Sequence, residues 1–231
     1  MSSFHKPVLL LSICILLTNE LNSQDFMIVN DSYNGSTVYT ESIHINTLSE
    51  LPPLIELNLN GYLNRVLGEI KDSVSFSHGQ MINLEKEFEK DSLTYLRNWV
   101  VPKYDLNFVI RDKSIGIQNY YIQIRLDQYG QILNSNWPTE HFDDRNKLKN
   151  RNQINDEAIA YAKAKGFYKN TFMIELRYRK HHDSLNWVYK FPLNKDETKL
   201  NFQDYYVIEI AWNSGEIVED YNVTLTKSES H

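Results

Sequence analysis

Two hydrophobic periods divide this chain. In residues 171–180, Phe172, Ile174, Leu176 and Tyr178 alternate with Glu175, Arg177 and Arg179. The same period of two recurs in 185–191 through Leu185, Trp187, Tyr189 and Phe191, and in 205–212 through Tyr206, Ile208, Ile210 and Trp212. A further strand is expected over 216–225. Such alternation predicts antiparallel strands with one buried and one wetter face. Earlier runs at 105–111, 119–126 and Gln131-Ile132-Leu133 have strand character too.

Elsewhere the period lengthens to that of a helix. Leu63, Val66, Leu67 and Ile70 follow i, i+3, i+4, i+7 spacing after the break at Leu51-Pro52-Pro53, and Asn60 is the expected N-cap. A second helix is expected over 82–100, with Leu84, Phe88, Tyr95 and Trp99 near one face and Pro102 ending it. A third begins at Asn155. Its side chain would cap free amides, Asp156 and Glu157 suit the positive N-terminal end, and Ile154 and Ile159 form a hydrophobic staple. Lys163, Lys165 and Gly166 mark its end. The expected fold is α+β: antiparallel sheets, each covered by helix on one face, in two related helix-plus-meander units.

The relation between the units rests on an internal echo. Tyr120-Tyr-Ile-Gln-Ile-Arg-Leu126 resembles Tyr206-Val-Ile-Glu-Ile-Ala-Trp212, and Gly130-Gln-Ile-Leu133 resembles Gly215-Glu-Ile-Val218. Allowing the first turn one extra residue keeps the apolar faces in phase, because a one-residue slip would turn every side chain over.

The helix Asn155-Asp-Glu-Ala-Ile-Ala-Tyr-Ala-Lys-Ala-Lys-Gly166, the strand around Trp187 and the hairpin from Ile208-Glu-Ile210 to Gly215-Glu-Ile-Val218 together resemble a PepSY-like domain over residues 153–221. The resemblance implies an extracytoplasmic protein. It also implies a binding role, which in some members of that family is restraint of peptidases. It carries no shared catalytic residues. The segment Asn194-Lys-Asp-Glu-Thr-Lys199 departs from the compact pattern as an insertion.

The N-terminus adds a compartment. Lys6 precedes an apolar run from Pro7 to Leu17, then a polar stretch to Gln24. A run of that length spans about half a hydrocarbon core, so it suits a signal peptide cleaved near Ser23 rather than a membrane span. The junction resembles signals of secreted Bacteroidota proteins. Lipidation at Cys14 is disfavoured because Ile13 stands where a small residue is required. The expected divisions are signal peptide 1–23, polar leader 24–52, first α+β unit 53–140, charged linker 141–152 and second unit 153–231. A strand is expected within the leader at 36–40.

Composition narrows function by exclusion. The formal net charge is −6, and no basic cluster overrides it, which argues against nucleic acid or an anionic membrane surface as partner. The single cysteine, Cys14, lies in the predicted signal, so the mature chain would have neither a disulfide nor a thiol nucleophile. Tyr numbers 15 and aromatics reach 13%, which suits β-structure, with an exposed glycan-binding platform as the alternative.

His181-His182-Asp183 is the most suggestive cluster. It falls in an expected turn, where a surface role competes with metal ligation. His141-Phe142-Asp143-Asp144 pairs imidazole with carboxylate inside the expected linker. No serine-hydrolase elbow, zincin motif or phosphate loop is present. No catalytic, cofactor-binding or metal-ligating residue is assigned. The expectation is a secreted or periplasmic, non-enzymatic binding or inhibitory module with a protein or glycan partner. The alternatives are a secreted hydrolase with a dispersed carboxylate or His site, and an envelope structural or glycan-binding protein.

Overall fold

The computed structural model describes residues 39–90, 101–114, 116–139, 151–193 and 201–226. Nine strands form two antiparallel sheets among these residues, with three α-helices beside them. The fold is therefore mixed α+β and rich in strand. No helix among the described residues is long and apolar enough to cross a membrane.

The first sheet has the order β1-β2-β3-β4-β5. Its strands are β1 (Ser42–Ile45), β2 (Val74–Ile82), β3 (Tyr104–Asp112), β4 (Ile117–Leu126) and β5 (Ile132–Ser135). β1 lies among the residues assigned to the leader and pairs with β2. Of the strand expected at 36–40, residues 36–38 lie outside the described part, and Tyr39 and Thr40 are not strand.

Helix α1 (Pro53–Leu67) starts earlier than its periodicity suggests. Pro53 occupies the first helical position, where a missing N–H costs nothing, so the proline pair starts the helix and Asn60 lies inside it rather than capping it. Ile55, Leu59, Tyr62, Leu63, Val66 and Leu67 are its buried residues. Ile70 falls in the 3-10 turn Gly68–Ser73. Helix α2 (Leu84–Lys90) covers part of the expected 82–100 helix. Ile82 instead ends β2, and residues 91–100 lie outside the described part.

The second sheet is a meander of β6 (Met173–Arg179), β7 (Ser184–Pro192), β8 (Phe202–Ala211) and β9 (Ile217–Thr226). The insertion 194–199 falls outside the described residues. Helix α3 (Arg151–Ala164) precedes the sheet and packs on β8. It begins one turn before Asn155, so Arg151 and Asn152 belong to helix rather than linker. Asn155 is interior, and its Oδ1 is buried without a hydrogen bond, which corrects the expected cap. The expected end is found. Gly166 has φ +78, its N–H bonds to the Lys163 carbonyl at 3.1 Å, and the Phe167 N–H bonds to the Ala162 carbonyl at 2.9 Å. These are the two bonds of a Schellman closure.

Both terminal hairpins carry a bulge at the same place. Leu126 pairs with Ile132 and Arg125 with Asn134, while Ile210 pairs with Ile217 and Glu209 with Glu219. The turns differ in the opposite sense to the sequence match. Asp127 and Gln131 close the first, Ala211 and Glu216 the second, so the second is longer by one residue. Gly130 and Gly215 take positive φ in the two turns.

Residues of both sheets, α1 and α3 join one hydrophobic core. Trp137 is fully buried within it. Its Nε1 donates to the Val66 carbonyl at 3.0 Å. Its ring meets Tyr120 edge-on at 5.5 Å and Trp212, from the second half, at 5.9 Å. The residue just beyond β5 thus ties α1 to the second sheet.

Candidate functional site

Strand pairing decides where the charges of the second half meet. Glu175, Arg177 and Arg179 share the β6 face opposite Ile174, Leu176 and Tyr178. Cross-strand register places Glu175, Val188, Glu209 and Glu219 in one row across the sheet, with Arg177 and Asn186 paired in the next. Two carboxylates directly opposite each other, Glu209 and Glu219, are unfavourable on their own.

Cations from β6 and β7 offset this. Arg179 pairs with Glu209 through two nitrogens, one of them Nε at 2.8 Å from Oε2. Asn186 Nδ2 donates to the same oxygen at 3.0 Å, and the Tyr221 hydroxyl donates to Oε1 at 2.8 Å. Arg177 lies 3.7 Å from Glu209 and donates to Glu175 at 3.0 Å, and Glu175 also pairs with Lys190. Glu209 is only 1% exposed, so both its oxygens are engaged in a dry setting. These bridging side chains reach across β7. That is why β7 is buried along nearly its whole length instead of alternating.

A cleft of about 250 Å³ opens above Glu209, between the β6–β7 turn and the start of β9. Arg179, Lys180, His181, His182, Asn186, Glu209 and Glu219 supply its polar lining, with Tyr178 and Val218. The expected turn is present, and it brings His181 and His182 to the rim. Asp183 does something else. It adopts φ 45 and accepts from the Thr139 N–H at 3.0 Å and the Tyr178 hydroxyl at 2.8 Å, anchoring the turn to the first half. Burial first, then the Asp183 carboxylate, pushes the Tyr178 phenol well above its usual value, so it stays a donor. Among the described residues no three His, Cys, Asp or Glu side chains converge to hold a metal ion. His141 to Asp144 lie outside the described residues.

The outer face of the first sheet carries a smaller cluster. Asp105, 4% exposed, accepts from Gln123 Nε2 at 2.9 Å and Arg125 Nε at 3.1 Å. Burial raises its pKa above the ordinary 3.8 despite these donors. The His44 and His78 rings stack nearby on β1 and β2 at 6.3 Å. A wider depression at the β3–β4 turn is lined by Arg111, Lys113, Gly116, Gln118 and Asn119, and its lining has no acidic group.

Nothing in the sequence marks Glu175, Arg177, Lys190, Glu209 and Tyr221 as a unit. The alternation on β6 was the available signal, but it marks only a face. Which charges meet depends on register across three strands.

These features define a two-sheet α+β protein with an ion-braced polar sheet face and a small charged cleft. Comparison with known proteins finds no matching family model and no significant match among curated proteins or solved structures.

Proposed function

We propose that this chain is an extracytoplasmic, non-enzymatic binding or inhibitory module, exported by its N-terminal signal, with a PepSY-like second half. In this reading α1 and α3 each cover one face of a sheet, leaving the polar faces for recognition. Each half has a helix ahead of an antiparallel meander that ends in a bulged hairpin, which fits an internal duplication to which the first half adds β1 and α2. The observation that carries the proposal is the braced face itself. Glu209 fixes Arg179 beside a cleft whose remaining charges have no bonded partner among the described residues. Groups held rigid before a ligand arrives lose little entropy on binding.

The test compares wild-type protein with a Lys180→Gln/Glu219→Gln variant, each immobilised and exposed to extracytoplasmic protein and glycan fractions. A partner held by wild type and lost by the variant is the expected result. Equal retention by both, or none by either, sinks the proposal.

One observation favours a hydrolase as second reading: two carboxylates, Glu209 and Glu219, line one cleft. Against it, both Glu209 oxygens are already occupied, whereas a general base needs a lone pair aimed at substrate. Turnover of any peptide or glycoside that Glu219→Gln abolishes would establish the hydrolase.

A further inference from the structure

The cleft carries unmatched charge of both signs, on opposite walls. The side chains of Lys180, His181 and His182 make no hydrogen bond or ion pair with the described residues, and neither does Arg179 Nη1. These groups belong to the β6–β7 wall. On the β9 wall, Glu219 is exposed and likewise without a partner. The Glu209 carboxylate between them is saturated by Arg179, Asn186 and Tyr221, so it neither competes for a ligand cation nor neutralises Lys180.

We propose that this cleft binds a small zwitterion, its carboxylate on Lys180 and His181 and its ammonium on Glu219. A purely anionic ligand would meet Glu219, and a purely cationic one would meet the Lys180 wall. A ligand carrying both charges satisfies both.

Size narrows the class. A volume of about 250 Å³ lies just below the usual range for small-molecule sites, roughly 300–1,000 Å³. Across the sheet the β6–β7 turn stands two to three strand spacings from β9, about 10–14 Å, and Lys180 also lies beyond Glu175 along the strands, off the row that holds Glu219, so the two side chains close only part of the gap between their backbones. A free amino acid is too short to join the walls. Three residues of extended peptide reach about 10 Å. The ligand is therefore an oligopeptide of about that length with both termini free, or a zwitterion of matching span.

This assignment rests on the binding-module reading and names the chemistry of the same cleft. Calorimetric titration of the purified protein with triglycine tests it, beside N-acetyl-triglycine, triglycine amide and glycine. Triglycine is expected to bind with a Kd on the order of 1 mM, and capping either end to weaken it about tenfold. Glycine should bind more weakly than triglycine. Lys180 and Glu219 are both exposed, so Lys180→Gln and Glu219→Gln should melt like wild type. Glu219→Gln should weaken triglycine about tenfold yet leave N-acetyl-triglycine unchanged, and Lys180→Gln should show the mirror pattern with the amide. No heat from triglycine at tens of millimolar overturns the assignment, as does a Glu219→Gln loss that is equal for capped and free ligand. If triglycine fails while the double variant still loses a captured partner, the zwitterion assignment falls and the binding module stands.

Discussion

Asp105 shows how one side chain records the balance between burial and pairing. Gln123 and Arg125 favour its ionised form, yet removal from water outweighs them and the folded-state value lies above 3.8. Below 3.8 the carboxyl is protonated whether the chain is folded or not, and it costs nothing. As pH rises past 3.8 the unfolded chain releases the proton first, so folding is penalised increasingly until the folded value is passed. Asp105→Asn removes that titration. Relative to wild type, the variant should gain stability from pH 3.5 upward and then level off, apart from a constant offset for altered hydrogen bonds. Urea midpoints at pH 3.5, 5 and 7 measure this. A difference that does not vary with pH would show that the burial penalty is absent.

At the scale of elements, the strands were the most legible part and their contents the least. Tyr206, Ile208 and Ile210 mark β8 plainly, and Gly166 marks the end of α3 because a left-handed residue leaves a local signature. The start of α3 was misread because Asn155-Asp156-Glu157 has the chemistry of a cap, while Ile154 one position earlier is fully buried and extends the apolar stripe upstream. The start of α1 was misread for the converse reason, since Pro53 breaks a helix from within but begins one well. Least legible was the buried ion cluster, which exists only once β6 to β9 are in register. Its energetics follow from that dependence. Paired ions in a dry setting add little over apolar packing, but removing one partner strands the others. Glu209→Gln leaves Arg179 short of its counter-ion and should cost about 3–5 kcal/mol in chemical denaturation. A loss below about 1 kcal/mol would mean that Glu209 is better solvated than its 1% exposure indicates.

At the scale of the molecule, the two sheets share a core, so the halves are not expected to unfold independently. Trp137 concentrates that coupling through a hydrogen bond to the first half and an edge-on ring contact with the second. Trp137→Ala removes a fully buried side chain and should cost about 3–5 kcal/mol. Wild type should give one transition by far-ultraviolet circular dichroism and by fluorescence alike. Two separated wild-type transitions would show that the halves are autonomous domains.

The same seam has an optical consequence. Trp137 and Trp212 lie 5.9 Å apart, with Tyr120 5.5 Å from Trp137, and all three are buried. Indoles this close exchange excitation, and in a dry surround they emit toward the blue. Any event that parts the sheets therefore changes the colour and polarisation of the protein's own light. The junction between the halves carries a built-in reporter, and its motion can be followed without attaching a dye.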